Sequence, residues 1–289
     1  MQAWVGWGFA LSALWAALGG AACRSRSPAQ RVAPPTAGLA APASAAPSRT
    51  APSSALEPLS GNWLEPLPLD DAGLAYVTPP LGAREPRPLM VAVHGAGDRP
   101  EWACGGWRLA ANGYAFVVCP RGLPMDAQRF GWDNGAGIAR RVAQAISAVK
   151  ARYGPYIASG PTLYLGFSQG ATLARSVLLA EPGRFPAVAL AEGGYDLVRD
   201  ANFLTQLRER GTTRALIVCG SAACFTTAHA VIPALARVGI EASAVGNPLS
   251  GHNLNQRMQT ALQAAWPSFV RGLPNWNGFA EHIAARQKP

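Results

Sequence analysis

Apolar segments that alternate with helical patterns constrain the fold of this chain more than any other feature of its sequence. Six segments are apolar nearly throughout, as buried strands are, and five segments carry apolar residues at helical spacing. Strands that are apolar on both sides and are joined by helices belong to a parallel sheet with both faces covered. We therefore predict an α/β fold with a mostly parallel sheet covered by helices on both faces. The predicted strands span residues 87–93, 114–119, 162–167, 187–191, 214–219 and 241–245, and the predicted helices span residues 137–153, 171–180, 202–210, 228–238 and 255–270.

Composition divides the chain into three parts. Residues 56–289 hold all the strand and helix patterns and are predicted to form one domain, with an antiparallel edge hairpin from the segments NWLEPLPL and GLAYVTPP. Only 20 residues lie between Glu192 and Thr213, so no large cap domain is expected. Residues 24–55 are rich in Pro, Ala and Ser and lack aromatic residues. Such a segment cannot offset its ordering entropy and is predicted to be a disordered tether.

Residues 1–23 have the pattern of an export signal. Residues 4–22 form an uncharged apolar run that ends in small residues directly before Cys23. This ending resembles the lipobox of bacterial lipoproteins, in which Cys23 would become the lipidated first residue. No Lys or Arg precedes the run, and Gly20 stands where the lipobox usually has Leu. A cleaved secretory signal and a retained membrane anchor are the alternatives. All three predict export, and lipidation predicts attachment to a cell-envelope membrane.

The net charge of +9 does not indicate a nucleic-acid-binding protein. Four arginines lie in the tether, while all 16 acidic residues follow it, which leaves about +5 on the domain. The remaining arginines are scattered, and nucleic-acid binders cluster theirs on one face. The sequence therefore predicts no nucleic-acid partner and implies no partner protein.

The cysteines are consistent with an oxidising compartment. Beside Cys23 the chain has four, an even number in an exported protein, which favours disulfides. Four cysteines allow three pairings, of which the local pairs Cys104–Cys119 and Cys219–Cys224 are favoured. A zinc site is the alternative, but the chain has no CxxC motif and no neighbouring histidine pair. No metal and no organic cofactor are expected.

The segment GFSQG, residues 166–170, places a serine between two glycines where a predicted strand meets a predicted helix. This is the context of a nucleophile elbow, in which the turn is strained and neighbouring backbone passes close to both glycines. The hydroxyl of Ser168 would then stand clear at the carboxyl edge of the sheet. The alternative is a Gly-Ser turn with no chemical role.

A second motif, at the end of the first predicted parallel strand, accompanies the serine segment. VHGAGD, residues 93–98, ends the first predicted parallel strand, and together with GFSQGA it resembles the small carboxylesterase and acyl-thioesterase branch of the α/β-hydrolase superfamily. The resemblance covers most of residues 87–270. It implies that the backbone amides of Ala96 and Gln169 hold an oxyanion, while His94 only shapes the loop. It also implies a late histidine as base, and His252 lies between the last predicted strand and the last helix.

The acid of the triad is the residue that the pattern leaves open. Relatives place Asp after the strand that here reads ALIVCG, but no carboxylate follows it until Glu241. Some α/β-hydrolases take the acid from the end of the preceding strand, where Glu192 stands. Asp196 and the absence of any side-chain acid are the alternatives, because a triad is defined by geometry rather than by sequence position.

These features predict an exported, lipid-anchored serine hydrolase that cleaves small-molecule carboxylic esters through an acyl-enzyme. A serine peptidase and a non-catalytic cell-envelope lipoprotein with the same fold are the alternatives. Three tryptophans are expected at the carboxyl edge of the sheet, either as a substrate pocket or as cover for the sheet: Trp102, Trp107 and Trp132.

Overall fold

The computed structural model describes residues 56–71, 73–181 and 183–286. The predicted signal, Cys23 and the predicted tether lie outside the described residues, so the three-part division of the chain stays a prediction.

One twisted sheet of eight strands forms the centre of the fold. Its spatial order is β1-β2-β4-β3-β7-β8-β9-β10, and every pair from β4 to β10 is parallel. The strands β1 and β2 pair antiparallel with each other, and β2 pairs antiparallel with β4, which confirms the edge hairpin. The strands of this sheet are β1 (Glu65–Pro68), β2 (Leu74–Thr78), β3 (Arg87–Val93), β4 (Phe116–Pro120), β7 (Ile157–Phe167), β8 (Ala187–Ala191), β9 (Arg214–Cys219) and β10 (Glu241–Gly246); a small second sheet pairs β5 (Leu123–Pro124) with β6 (Phe130–Gly131).

Helices cover both faces of the large sheet, as predicted. Buried side chains of α1, α8 and α9 form the core on one face, and those of α2 to α7 form the core on the other. The helices are α1 (Pro100–Ala110), α2 (Gly135–Tyr153), α3 (Gln169–Thr172), α4 (Arg175–Leu178), α5 (Tyr195–Arg199), α6 (Ala201–Glu209), α7 (Ala222–Arg237), α8 (Gln256–Val270) and α9 (Phe279–Arg286).

The prediction of one continuous helix over residues 171–180 is wrong. The structure has two short helices, α3 and α4, because the backbone amides of Ala174 and Val177 bond to carbonyls three residues back and interrupt the regular ladder. Helix α7 begins earlier than predicted because the Ser221 hydroxyl caps it by accepting a hydrogen bond from the Cys224 amide at 3.2 Å. The helices α1 and α9 were not predicted.

The space between β8 and β9 holds only α5 and α6, so the described part of the chain has no large cap domain. Because the central strands are parallel, their carboxyl ends meet at one edge of the sheet, and this edge is left open. Among the described residues, no helix is both long and apolar enough to cross a bilayer.

Both favoured disulfides are present. Cys104 bonds to Cys119 and joins α1 to β4, while Cys219 bonds to Cys224 and joins the end of β9 to the start of α7. The alternative of a zinc site on these cysteines is therefore wrong, since none of the four keeps a free thiolate.

Candidate active site

Ser168 occupies the turn between β7 and α3. Its backbone has φ 51° and ψ −113°, a conformation that costs a non-glycine residue about 1–3 kcal/mol. The flanking glycines are required by close approach: a Cβ on Gly166 would lie 2.8 Å from the backbone of Ala171, and one on Gly170 would lie 2.3 Å from the carbonyl oxygen of Val93. The serine thus sits in the geometry of a nucleophile elbow, with its hydroxyl at the open edge of the sheet.

Glu192 follows β8 in the same way that Ser168 follows the neighbouring β7. Its φ is 49°, and its backbone amide donates to the Val218 carbonyl of β9 at 3.0 Å. Four non-glycine residues have positive φ in the described structure, and two of these are asparagines, which tolerate it well. The other two are Ser168 and Glu192. Strained backbone of this kind concentrates at functional sites.

The Glu192 carboxylate is held between a backbone amide and an imidazole. One oxygen, Oε1, accepts a hydrogen bond from the amide of Gly220, the residue that follows β9. The other, Oε2, lies 3.5 Å from Nδ1 of His252. Only 9% of Glu192 is exposed, so its carboxylate is a buried group and not a surface partner of an arginine.

His252 lies on the loop between β10 and α8, as predicted. The loop is fastened to the end of β9, because the Gly251 amide donates to the Gly220 carbonyl at 2.9 Å. The ring packs against Phe167, with centroids 5.1 Å apart, and 57% of its side chain is exposed. His252 and Ser168 border the same cavity. In the described structure His252 and Ser168 are not hydrogen-bonded to each other. Catalytic pairs often form this hydrogen bond only when a substrate is bound.

His94 shapes the loop after β3. Its Nε2 accepts from the Gly122 amide at 3.1 Å, which leaves Nδ1 to donate to the Gly95 carbonyl at 2.7 Å. Burial lowers the pKa of His94, so the ring stays neutral in this tautomer. The Trp132 indole donates to the His94 carbonyl at 3.0 Å. These contacts fix the path of the loop and leave His94 no free nitrogen for proton transfer.

The Gln169 side chain joins the elbow to Trp132, whose indole is bonded to the loop after β3. Its Oε1 accepts from the Trp132 amide at 2.9 Å, and its Nε2 donates to the Trp132 carbonyl at 2.8 Å. The backbone amides of Ala96 and Gln169 donate no hydrogen bond to any of the described residues. Both residues line one cavity of about 240 Å³. Two unused amides beside a serine at the start of a helix can stabilise a developing oxyanion.

Among the described residues, no carboxylate other than Glu192 pairs with His252. Asp196 is in α5 and lines a cavity with Glu192 and His252, but it makes no ion pair with the histidine. His229 is exposed on α7, and His282 on α9 donates to the Asn112 carbonyl at 2.9 Å. Burial and the nearby negative charge of Glu192 raise the pKa of Tyr195 to about 12, so its phenol stays protonated.

The three tryptophans divide between the two roles considered for them. Trp107 is fully buried against Trp266 and is structural, while Trp132 is buried under the loop after β3 and also lines the small cavity of Ala96 and Gln169. Trp102 is 64% exposed on α1 and lines the cavity that contains Ser168.

Two contacts of the site were not predicted from the sequence: the hydrogen bond from the Gly220 amide to Glu192, and the hydrogen bonds of the Gln169 side chain to Trp132. Neither contact has a signature in the sequence.

Comparisons with known proteins report on the fold. Neither a protein-family model nor a curated protein sequence matches the chain. Among solved structures, a dienelactone hydrolase-like promiscuous phosphotriesterase from metagenomic libraries aligns with a TM-score of 0.52 and 18% identity, covering 75% of this chain and 97% of that one. A ferulic acid esterase aligns with a TM-score of 0.50 and 13% identity, over 71% and 94%. An uncharacterized protein from Bacillus cereus gives 0.52 and 16%, over 65% of this chain and only 61% of its own length.

At these identities the likeness concerns the fold alone. The strand order, the parallel pairing from β4 to β10 and the helices on both faces agree with it. The chain has the α/β-hydrolase fold.

Proposed function

We propose that this protein is a serine hydrolase that cleaves carboxylic esters of small molecules. The observation that carries the proposal is the contact of Glu192 with His252 at 3.5 Å, while His252 borders one cavity with Ser168. The strained serine and the buried carboxylate follow the neighbouring strands β7 and β8, and the imidazole follows β10 at the same edge of the sheet, which suits nucleophilic catalysis. The argument for the non-catalytic alternative is that no carboxylate follows β9, and the Glu192 carboxylate at the end of β8, 3.5 Å from His252, counts against that alternative.

In the proposed mechanism, His252 takes the proton of Ser168 as the serine oxygen attacks the acyl carbon. Glu192 orients the imidazole and stabilises its charged form. The amides of Ala96 and Gln169 donate to the oxyanion of the tetrahedral intermediate. His252 then protonates the leaving alcohol, and a water molecule, activated by the same base, releases the acid from Ser168.

This function is tested by covalent labelling. The folded 289-residue chain is expected to react stoichiometrically with a fluorophosphonate probe and to hydrolyse p-nitrophenyl acetate, because both reactions need the activated serine. Labelling is measured by intact-protein mass spectrometry, with circular dichroism to establish that the sample is folded. A folded chain that neither labels nor turns over the ester contradicts the proposal.

The proposal includes export and attachment to a membrane of the cell envelope through Cys23. Pairing of all four cysteines among the described residues supports an oxidising compartment. Metabolic labelling with a radioactive fatty acid tests the anchor: the chain is expected to incorporate the label, and a Cys23→Ser chain is expected not to. Equal labelling of the two chains, or no labelling of either, would remove the lipid anchor from the proposal.

The Cys219–Cys224 disulfide is expected to matter for turnover because it closes the loop that holds the acid and the base. Gly220, within that loop, donates to Glu192 and accepts from Gly251 beside His252. We expect Cys219→Ala/Cys224→Ala to lower kcat about tenfold or more, since small displacements of catalytic groups are costly.

The matched control for this variant is Cys104→Ala/Cys119→Ala. Chain entropy makes the longer Cys104–Cys119 loop worth about 3 kcal/mol of stability and the shorter loop about 2 kcal/mol. The control is therefore expected to lose more thermal stability but little kcat. Steady-state kinetics with thermal unfolding measures both, and equal losses of kcat would contradict the positioning role.

A further inference from the structure

A groove of about 600 Å³ runs from Ser168 along helix α1. One wall is α1 and the other is the segment that follows His252. Its largest side chains are aromatic or aliphatic, three further side chains are uncharged amides, and Asp98 is the one carboxylate among the described residues that line it. We propose that this groove binds an uncharged, apolar group of the substrate ester, an inference that rests on the proposed function. The lining includes Trp102, Ala103, Leu109, Phe167 and Leu254.

The exposure of the groove wall supports this assignment. Trp102 is 64% exposed and Leu109 is 48% exposed, seven residues apart on one side of α1. Large apolar side chains that remain in water beside a nucleophile can be covered favourably by an apolar ligand. The volume also lies in the range that accommodates a small organic molecule.

The floor of the groove is kept open by a residue that the helix itself disfavours. Gly106 lies in the middle of α1, where glycine is less favourable than every residue except proline. A Cβ added there would lie 3.1 Å from Cδ1 of Leu254 and 3.4 Å from Nε2 of Gln259, both of which line the groove. A side chain at this position would therefore narrow the groove.

Gln259 is a second and independent feature of the groove. It is only 4% exposed, and its Nε2 donates to the Leu254 carbonyl at 3.3 Å. Its Oε1 is buried with no hydrogen-bond partner among the described residues. A buried acceptor without a partner is uncommon in native proteins. Gln259 therefore adds an uncharged amide to the lining of the groove and no charge.

The neighbouring glycine of α1 supplies the control for a test. At Gly105 a Cβ would meet only ring atoms of Trp63, at 3.9 Å or more, and Gly105 does not line the groove. Gly105→Ala and Gly106→Ala both replace a helix-interior glycine by the best helix former. Only the Cβ at position 106 meets residues of the groove lining, so Gly105→Ala controls for the gain in helix propensity.

The test compares kcat/KM of the 289-residue chain and both variants on two series of esters. In one series the acyl group grows from acetyl to hexanoyl and 3-phenylpropionyl on p-nitrophenol, and in the other the alcohol grows from ethyl to benzyl on acetate. We expect the wild type to favour the larger group by about tenfold or more in one series. Gly106→Ala is expected to lose most of that ratio, while Gly105→Ala keeps it. The melting temperature of Gly105→Ala should equal or exceed that of the wild type, and that of Gly106→Ala is measured to establish that the variant is folded under the assay conditions.

The outcomes separate the two proposals. A wild type that labels with fluorophosphonate and cleaves acetate but favours no larger group overturns the groove alone. The same holds if Gly106→Ala and Gly105→Ala show equal ratios. A folded wild type that neither labels nor cleaves any ester overturns the proposed function and, with it, the groove.

Discussion

Replacing Ser168 by alanine is expected to lower kcat/KM for p-nitrophenyl acetate by roughly 10⁴-fold or more and to abolish fluorophosphonate labelling. The variant removes the only atom that would form the covalent bond. It leaves the donors at Ala96 and Gln169 in place, so a small residual rate above that of water is expected. Initial rates and intact-protein mass spectrometry measure the two effects.

The control for this variant is Ser159→Ala. Ser159 is exposed near the amino-terminal end of β7, the strand that carries Ser168 at its other end. Loss of its hydroxyl is expected to change neither rate nor labelling. Persistent stoichiometric labelling of Ser168→Ala would show that another residue is the nucleophile and would contradict the proposed triad. Thermal unfolding of both variants should match the wild type within a few degrees.

The sheet could be predicted because its strands are buried on both faces. β8 and β9 are apolar nearly throughout, and such segments leave few alternatives to a covered parallel sheet. The elbow could be predicted for a related reason, since the backbone contacts of Gly166 and Gly170 admit no side chain. Features set by local sterics are visible in the sequence.

Features set by tertiary packing were missed. Helix α1 carries two glycines and is held by contacts between residues far apart in the sequence, since Trp107 packs against Trp266 of α8 and Cys104 bonds to Cys119 of β4. Helix α9 reads as a polar tail, although Phe279 packs against Tyr114 and Trp276. Helix propensity is a weak indicator where such contacts supply most of the stability.

The sequence narrows the acid of the triad to a few candidates, but it does not decide between them. Glu192 and Asp196 are four residues apart, and both fall on the cavity beside His252. What separates them is the positive φ of Glu192, which follows β8 directly, and the Gly220 amide that holds its carboxylate. Neither the dihedral nor the contact with β9 is encoded in a local pattern.

Glu192→Gln is therefore expected to reduce kcat by roughly 10²–10⁴-fold with a much smaller change in KM. Glutamine keeps the shape of the side chain, and its carbonyl can still accept from Gly220. It cannot stabilise a charged imidazole, and an amide NH₂ facing Nδ1 favours the wrong tautomer of His252. Steady-state kinetics on p-nitrophenyl acetate measures the loss, and fluorophosphonate labelling should slow in parallel.

Asp196→Asn is the matched variant, because it removes a charge from the same cavity without touching the imidazole. We expect its kcat to stay within about threefold of the wild type, in line with a carboxylate that contributes only at a distance through solvent. A large loss in Asp196→Asn with near-normal Glu192→Gln would transfer the role of the acid to Asp196. Near-normal turnover in both variants would mean that His252 works without a side-chain acid, and that Glu192 is strained and buried for the sake of the loop after β9 alone.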